Sequence, residues 1–129
     1  MSGERIHHAL VLTDDLEGTR RFYCDVLGFG WMEAPPLPFS AVWLTLDGEP
    51  CLHLADRAEY EAHAAELGLA RAAGRVDHVA FRRGGYERLR ERLDAAGVAY
   101  TPNELPGSFR QLFVDDPNGV RIELNVPEG

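Results

Sequence analysis

The chain has 129 residues, of which 45% are hydrophobic and 26% charged, and its formal net charge is −8. This length and composition predict one globular domain whose core is large enough to fold without disulfides. The acidic balance argues against nucleic acid as a partner, because no basic surface would neutralise phosphates. No apolar run approaches the roughly 20 residues that cross a bilayer, so we expect no membrane partner.

The first half of the sequence predicts a strand, a helix and three further strands. Residues 6–12 are strand-like and end at Thr13-Asp14-Asp15, after which apolar residues recur at helical spacing up to Gly28. Residues 29–33 are again strand-like, and three prolines within 34–40 predict a loop. A hairpin that turns at 47–48 joins strands at 41–46 and 50–55. The alanine- and glutamate-rich stretch 57–73 predicts a connecting helix.

The second half repeats this order of elements. We predict a strand near 76–82, a helix near 85–96 that ends at Gly97, and a strand near 98–101. A loop with Pro102 and Pro106 follows, and then a hairpin near 109–126 that turns at 116–119. The expected fold class is therefore α+β, with βαβββ modules at about 4–56 and 74–127 in a single domain spanning 1–129.

The two cysteines, Cys24 and Cys51, bear on the cellular compartment. The sequence begins with a short polar segment that runs directly into a predicted strand, and no signal peptide is recognisable there. We therefore expect reduced thiols and a cytoplasmic protein.

Four side chains that can ligate a metal ion recur at a matched spacing. His8 lies 45 residues before His53 (53 − 8), and His78 lies 45 residues before Glu123 (123 − 78). One such residue on the first strand and one on the last strand of each module predict a four-sided site at a pseudo-twofold axis. Imidazole nitrogen and carboxylate oxygen are ligands that Zn, Fe, Mn and Ni accept.

Three segments resemble the vicinal oxygen chelate superfamily, which includes glyoxalase I, extradiol dioxygenases, and the fosfomycin- and bleomycin-resistance proteins. The segments are HALVLTDDL at 8–16, RFYCDVLGF at 21–29 and RQLFVDDPNGVRIEL at 110–124. The resemblance implies paired βαβββ modules that form a cupped mixed sheet around a divalent metal, with Fe, Zn, Ni, Co or Mn as candidates. It also implies a homodimer whose two sites are shared between subunits.

The resemblance implies a particular set of metal ligands: His8, His53, His78 and Glu123. His53 departs from the glyoxalase I pattern, which uses two carboxylates, one of which moves a proton. Ring-cleaving dioxygenases and fosfomycin enzymes need only the equivalents of His8, His78 and Glu123, which leaves positions open for a chelating substrate or O₂. Two roles for His53 stay open: a fourth ligand, or a catalytic base whose pKa lies near neutrality.

Four further residues are predicted to contact a small-molecule substrate: Cys51, Gln111, Phe113 and Arg121. Strand alternation places Cys51 on the face of His53 and Arg121 on the face of Glu123, and an aromatic wall at Phe113 suits an apolar or aromatic ligand. The fosfomycin enzymes use a lysine to bind the phosphonate, and this chain contains no lysine, so fosfomycin is not the expected substrate.

Two classes of function fit the sequence. The first is a metal-dependent enzyme that acts on a substrate chelated through vicinal oxygens, either dioxygenase-like with Fe(II) or glyoxalase/isomerase-like with Zn, Ni, Co or Mn. The second is a metal-free antibiotic- or metabolite-binding protein of the bleomycin-resistance type. The metal content of the purified protein separates the two classes.

Overall fold

The computed structural model describes residues 5–69 and 74–127, and their contacts divide the chain into two units. The first unit contains the described residues up to Arg20 and those from Phe29 to Leu69. The second unit contains Arg21–Gly28 and the described residues from Gly74 onward. Each unit has a four-stranded sheet with both parallel and antiparallel pairs, so the predicted α+β class is confirmed.

The sheet of the first unit has a core face and a second face that carries polar and aromatic side chains. Its strands are β1 (Ala9–Thr13), β2 (Gly30–Glu33), β3 (Ala41–Leu46) and β4 (Glu49–Asp56). The unit also contains α2 (Arg57–Glu66) and the part of α1 (Leu16–Arg21) up to Arg20. The strand order is β1-β4-β3-β2, and β1 runs parallel to β4. Leu44, Leu52 and Leu54 are fully buried on the core face, whereas Trp43 and His53 lie on the other.

The hairpin between β3 and β4 has the predicted turn. Asp47 and Gly48 both have positive φ, at 50° and 78°, as a tight two-residue hairpin turn requires. Asp and Gly tolerate this left-handed backbone better than other residues do, so the local sequence determines where the chain reverses.

The second unit repeats this sheet topology. Its strands are β5 (His78–Arg82), β6 (Thr101–Glu104), β7 (Phe109–Asp115) and β8 (Arg121–Pro127), in the order β5-β8-β7-β6 with β5 parallel to β8. The helix α3 (Tyr86–Ala95) lies between β5 and β6 in the chain. The core contains the fully buried side chains of Leu93, Leu112, Ile122 and Leu124.

Three predicted boundaries are wrong. The strand expected near 98–101 is β6 at Thr101–Glu104, so Pro102 lies in a strand. An edge strand accepts this proline, because one row of its N–H groups has no neighbouring strand. The helix expected up to Gly28 is α-helical only to Arg21 and continues as a π-helical turn, Phe22–Val26. β1 begins at Ala9, so His8 precedes its strand.

The predicted connecting helix is present as α2, which ends at Glu66, and residues 70–73 of that prediction lie outside the described residues. No disulfide joins Cys24 and Cys51. Among residues 5–69 and 74–127, no helix is long and apolar enough to cross a membrane.

A buried polar pair in the second unit anchors the turn that leads into β8. The fully buried Tyr23 donates a hydrogen bond from its hydroxyl to Oδ2 of Asp116, at 2.8 Å. Oδ1 of Asp116 accepts from the backbone N–H groups of Asn118 and Val120, at 2.7 and 2.9 Å. Burial and the Asp116 carboxylate raise the pKa of Tyr23 above its ordinary value, so the phenol stays a donor. The pair thereby supports the strand that carries Glu123.

Candidate metal centre

In the first unit, His53 lies in the middle of a stack of three rings. The centroids of the His8 and His53 rings are 3.8 Å apart and the planes differ by 15°. The Trp43 ring lies 4.3 Å from that of His53, with the planes 4° apart. Because β1 and β3 flank β4 on opposite sides, His8 and Trp43 cover opposite faces of the His53 ring.

The stack leaves one nitrogen of His53 without a partner. Nε2 of His53 is buried and makes no hydrogen bond. Burial, followed by the proximity of His8 and His7, lowers the pKa of His53 to about 4. The expectation that His53 titrates near neutrality is therefore wrong, and its imidazole is neutral at neutral pH. A neutral ring with an unpartnered nitrogen suits a metal ion or a proton from a ligand.

The orientation of His8 is set by its neighbour in the chain. Nδ1 of His8 lies 2.9 Å from Nδ1 of His7, so Nε2 is the nitrogen that His8 has left for a metal. The lone pair of an imidazole nitrogen lies in the plane of the ring. Two nearly parallel rings at 3.8 Å therefore do not point at the same ion, and one ring must turn before His8 and His53 bind one metal together.

In the second unit, His78 and Glu123 meet on one face of the sheet. Strand pairing places Arg121 opposite His78 and Ala80 opposite Glu123. Nε2 of His78 lies 3.4 Å from Oε1 of Glu123. Oδ2 of Asp77 lies 3.0 Å from Nδ1 of His78 and accepts a hydrogen bond of the same length from Arg121. His78 and Arg121 hold the pKa of Asp77 below its usual value, so Asp77 is a carboxylate.

The contacts of His78 and Glu123 show how this pair of side chains suits a metal ion. The Asp77 carboxylate accepts a hydrogen bond from Nδ1–H of His78, so in the neutral imidazole the lone pair on Nε2 faces a carboxylate oxygen of Glu123. In that neutral form, Nε2 of His78 and Oε1 of Glu123 are two facing acceptors, and two facing acceptors favour a cation between them. Two ligands about 2.1 Å from a tetrahedral ion are themselves about 3.4 Å apart, so the distance within the pair matches that of two ligands on one divalent metal.

The second oxygen of Glu123 belongs to a row of side-chain amides. Oε2 of Glu123 accepts from Nδ2 of Asn125 at 2.8 Å, and Oδ1 of Asn125 accepts from Nε2 of Gln111 at 3.0 Å. Oε1 of Gln111 accepts from Nδ2 of Asn103 at 2.8 Å. Gln111, predicted to contact the substrate, is buried and makes hydrogen bonds through both of its polar atoms.

A cavity of about 660 Å³ opens in the second unit beside this face. Phe113 and Arg121, both predicted to contact the substrate, line the cavity together with Val98, Tyr100 and Thr101. Phe113 lies directly opposite Glu123 in the β7–β8 pair, so the cavity begins one strand away from the carboxylate. Its lining combines aromatic side chains with one cation, Arg121, and one anion, Asp115.

Cys51 lies at an irregularity of the first unit's sheet. Leu44 pairs with Leu52 and Thr45 pairs with Pro50, so no residue of β3 lies opposite Cys51. Its sulfur is 3.8 Å from the carbonyl oxygen of Leu44. The bulge interrupts the strand alternation on which the placement of Cys51 was based, and its contact with a substrate stays a prediction.

Three features of the site were not predicted from the sequence. Asp77 directly precedes His78, and a carboxylate next to a ligand-type histidine could have predicted their hydrogen bond. Asn103 had no local signal, because its contact with Gln111 depends on the register of β6. The stacking of Trp43 on His53 depends on the pairing of β3 with β4.

The ligand-type side chains thus form two pairs, His8 with His53 in the first unit and His78 with Glu123 in the second. In neither unit do the described residues include a group of three or more His, Cys, Asp or Glu side chains arranged to hold a metal ion. The architecture defines a class of protein: an α+β chain of two βαβββ modules, each offering two ligand-type side chains.

The chain belongs to the Glyoxalase/Bleomycin resistance protein/Dioxygenase superfamily, whose family model matches residues 5–124. The resemblance to the vicinal oxygen chelate superfamily and the predicted glyoxalase-like fold are therefore confirmed. A comparison with curated proteins finds no match.

Solved structures with this fold differ in what they bind. TnmS3, an antibiotic-binding protein from Streptomyces sp., is 24% identical, with 99% of each chain covered and a TM-score of 0.73. Lactoylglutathione lyase from Agrobacterium tumefaciens is 20% identical, with 98% of this chain and 96% of that chain covered and a TM-score of 0.66.

A third similar structure contains a metal. It is a mutant of the fosfomycin resistance protein FosX from Listeria monocytogenes, complexed with Mn(II) and 1S,2S-dihydroxypropylphosphonic acid. It is 17% identical, with 99% of this chain and 94% of that chain covered and a TM-score of 0.67. All three structures share the fold with this chain.

Proposed function

We propose that this protein is a divalent-metal-dependent enzyme that acts on a small substrate chelated through vicinal oxygens. The observation that carries the proposal is the pair of acceptors formed by Nε2 of His78 and Oε1 of Glu123, 3.4 Å apart. Asp77 accepts a hydrogen bond from Nδ1–H of His78, so in the neutral imidazole Nε2 and the Glu123 oxygen present two lone pairs to a metal. Such an arrangement is typical of a metal site.

The proposed ligand set is completed by the first unit. His8 has Nε2 to offer, and the buried, unpartnered Nε2 of His53 is the kind of atom that a ligand would satisfy. We therefore propose that the two pairs contribute to one site, with His53 either as a fourth ligand or as a proton carrier. FosX, a member of the same fold class, was solved with Mn(II).

The residues around the proposed metal site each have a definite part in this proposal. A bound divalent ion would act as a Lewis acid toward two neighbouring substrate oxygens. Asp77 keeps His78 in one tautomer, and Asn125 holds one oxygen of Glu123. Phe113 offers an apolar wall in the adjoining cavity, where Arg121 offers hydrogen-bond donors to a substrate.

A second candidate function is antibiotic or metabolite binding without a catalytic metal. The roughly 660 Å³ cavity with its aromatic and aliphatic lining favours this class, because such cavities bind small apolar molecules. The similarity to the antibiotic-binding TnmS3 is consistent with it. Metal content decides between the two candidates.

We expect the purified protein to contain a stoichiometric divalent metal, and His78→Ala to lose it. The substitution removes one of the two facing acceptors and leaves Glu123 without its partner. The measurement is elemental analysis, in which iron indicates the dioxygenase-like reaction and Zn, Ni, Co or Mn the lyase-like or isomerase-like reaction. His63→Ala, which removes a histidine of α2, is the control and should keep its metal. Equal metal in the wild type and His78→Ala, or none in a wild type grown with adequate metal, contradicts the proposal.

We also propose a homodimer in which His8 and His53 of one chain meet His78 and Glu123 of the other. A mixed dimer of His8→Ala and Glu123→Ala chains then has one intact site and one doubly defective site. After subunit exchange, we expect metal binding to recover to about a quarter of the wild-type value, because about half of the dimers are mixed. Light scattering gives the mass, and labelled chains report the exchange.

A monomeric mass at micromolar concentration would refute the shared site. Exchange without any recovery of metal binding would show instead that each chain builds its own site, since every His8→Ala or Glu123→Ala chain would then be defective by itself.

A further inference from the structure

The row of amides beside Glu123 runs in one direction. Asn103 donates to Gln111, Gln111 donates to Asn125, and Asn125 donates to Oε2 of Glu123, at 2.8, 3.0 and 2.8 Å. The row crosses three adjacent strands, because Asn103 pairs with Gln111 in β6–β7 and Gln111 pairs with Asn125 in β7–β8. All three amides therefore lie on the same face of the sheet as Glu123.

The chemistry of the last residue explains the direction. A carboxylate only accepts hydrogen bonds, so Asn125 must turn its Nδ2 group toward Glu123. Its Oδ1 then faces Gln111 and can only accept, which turns Nε2 of Gln111 toward Asn125 and Oε1 toward Asn103. One charged residue at the end thus determines the orientation of three amides, and each amide in turn keeps the next from rotating.

The same row limits what Glu123 can do. Oε2 is held by Asn125, and Oε1 faces Nε2 of His78. Gln111, the middle member, is only 7% exposed, so water cannot readily replace its two hydrogen bonds. A carboxylate held in this way offers a metal one oxygen, whereas an unrestrained carboxylate can turn and offer both.

We propose that Asn125, Gln111 and Asn103 are positioning residues, named here the amide relay, which hold Glu123 as a one-oxygen metal ligand. This inference rests on the proposed metal site. It assigns a function to Gln111 that differs from direct contact with the substrate. Partners of this kind that orient a metal ligand typically contribute 10–100-fold to metal affinity.

A competing explanation is that the amides merely add polar surface near the metal, without orienting Glu123. The Gln111→Glu substitution separates the two explanations, because it keeps the shape of the side chain but removes its donor. In the relay, the new carboxylate attracts Nδ2 of Asn125 away from Glu123, and metal affinity falls. If only local charge matters, the added negative charge raises the affinity for a divalent cation.

The experiment uses the full-length protein, first freed of metal and then titrated with Co²⁺, whose visible absorption reports the number and geometry of its ligands. We expect Asn125→Leu to bind Co²⁺ roughly 10–100-fold more weakly with an altered spectrum. Gln111→Glu should also bind Co²⁺ more weakly than the wild type and should also have an altered spectrum.

The control is Arg82→Ala, which alters the residue paired with Asn125 but lies outside the relay, and it should match the wild type. Wild-type affinity and spectrum in both Asn125→Leu and Gln111→Glu would overturn the inference, and so would tighter Co²⁺ binding by Gln111→Glu.

A second measurement tests the relay without metal. In the metal-free protein, Glu123→Ala should shift the side-chain amide NMR signals of Asn125 and Gln111 and leave that of Asn118, outside the relay, in place. Unshifted signals of Asn125 and Gln111 would refute the relay itself. Failure of the wild type to bind Co²⁺ would instead refute the proposed metal site, so the two failures are distinguishable. Gln111→Glu keeps both tests available if Asn125→Leu does not fold.

Discussion

Replacing His53 with alanine is expected to lower turnover by roughly 10²–10⁴-fold while most of the metal remains bound. The reason lies in the ring stack of the first unit. His53 is nearly parallel to His8 at 3.8 Å, so the two rings do not point at one ion in this arrangement. His8, His78 and Glu123 still provide a ligand set without His53. The unpartnered Nε2 of His53 is then left to exchange a proton with the substrate, and its low pKa means that it returns the proton readily.

Two measurements on His53→Ala test this role: metal content by elemental analysis, and turnover of a chelating substrate that the wild type converts. Added imidazole should restore part of the turnover, because it replaces the missing proton carrier without changing the metal. His53→Glu should keep the metal while changing substrate affinity and the pH profile, because it adds a carboxylate base and a negative charge. His63→Ala serves again as the control for loss of a histidine.

The other outcomes assign His53 a different role. If His53→Ala loses its metal as completely as His78→Ala does, His53 is a ligand and the proton carrier must be another residue. If both metal and turnover are unchanged, His53 takes no part in the reaction and the site has three ligands.

The substitution Asp116→Ala is expected to lower the free energy of unfolding by roughly 2–4 kcal/mol. Asp116 accepts three hydrogen bonds, from the hydroxyl of Tyr23 and from two backbone N–H groups of the turn before β8. Its removal leaves the fully buried Tyr23 hydroxyl without an acceptor, and burial makes an unsatisfied donor costly. Tyr23→Phe removes only one of these bonds, and no donor is left unpaired, so we expect a smaller loss.

Urea unfolding gives both free energies, with the m-value as a check that the transition stays comparable. Asp115→Ala is the matched control, because it removes an exposed carboxylate from the preceding position and should change stability by about 0.5 kcal/mol or less. An Asp116→Ala protein as stable as Asp115→Ala would show that the buried pair contributes nothing to the fold.

The sequence by itself determined the order of the elements, the α+β class and the superfamily. These depend on features that a short stretch of chain carries: apolar periodicity, the positive φ that Asp47 and Gly48 tolerate, and glycine at helix ends. The pairing of His8 with His53 and of His78 with Glu123 could also be predicted from the sequence. Each pair lies near adjoining parallel strands, and repeated modules place equivalent positions alike.

The properties that turn these pairs into a candidate site were decided only by the tertiary structure. The pKa of His53 depends on burial between Trp43 and His8, and burial is a sum over neighbours from several strands. The bulge at Cys51 interrupts the alternation that placed it beside His53, since one residue of register reverses a strand's alternation. The position of β6 brings Asn103 opposite Gln111. The amide relay joins Asn103 to Glu123 across three strands, and only the pairing of those strands brings its members into contact.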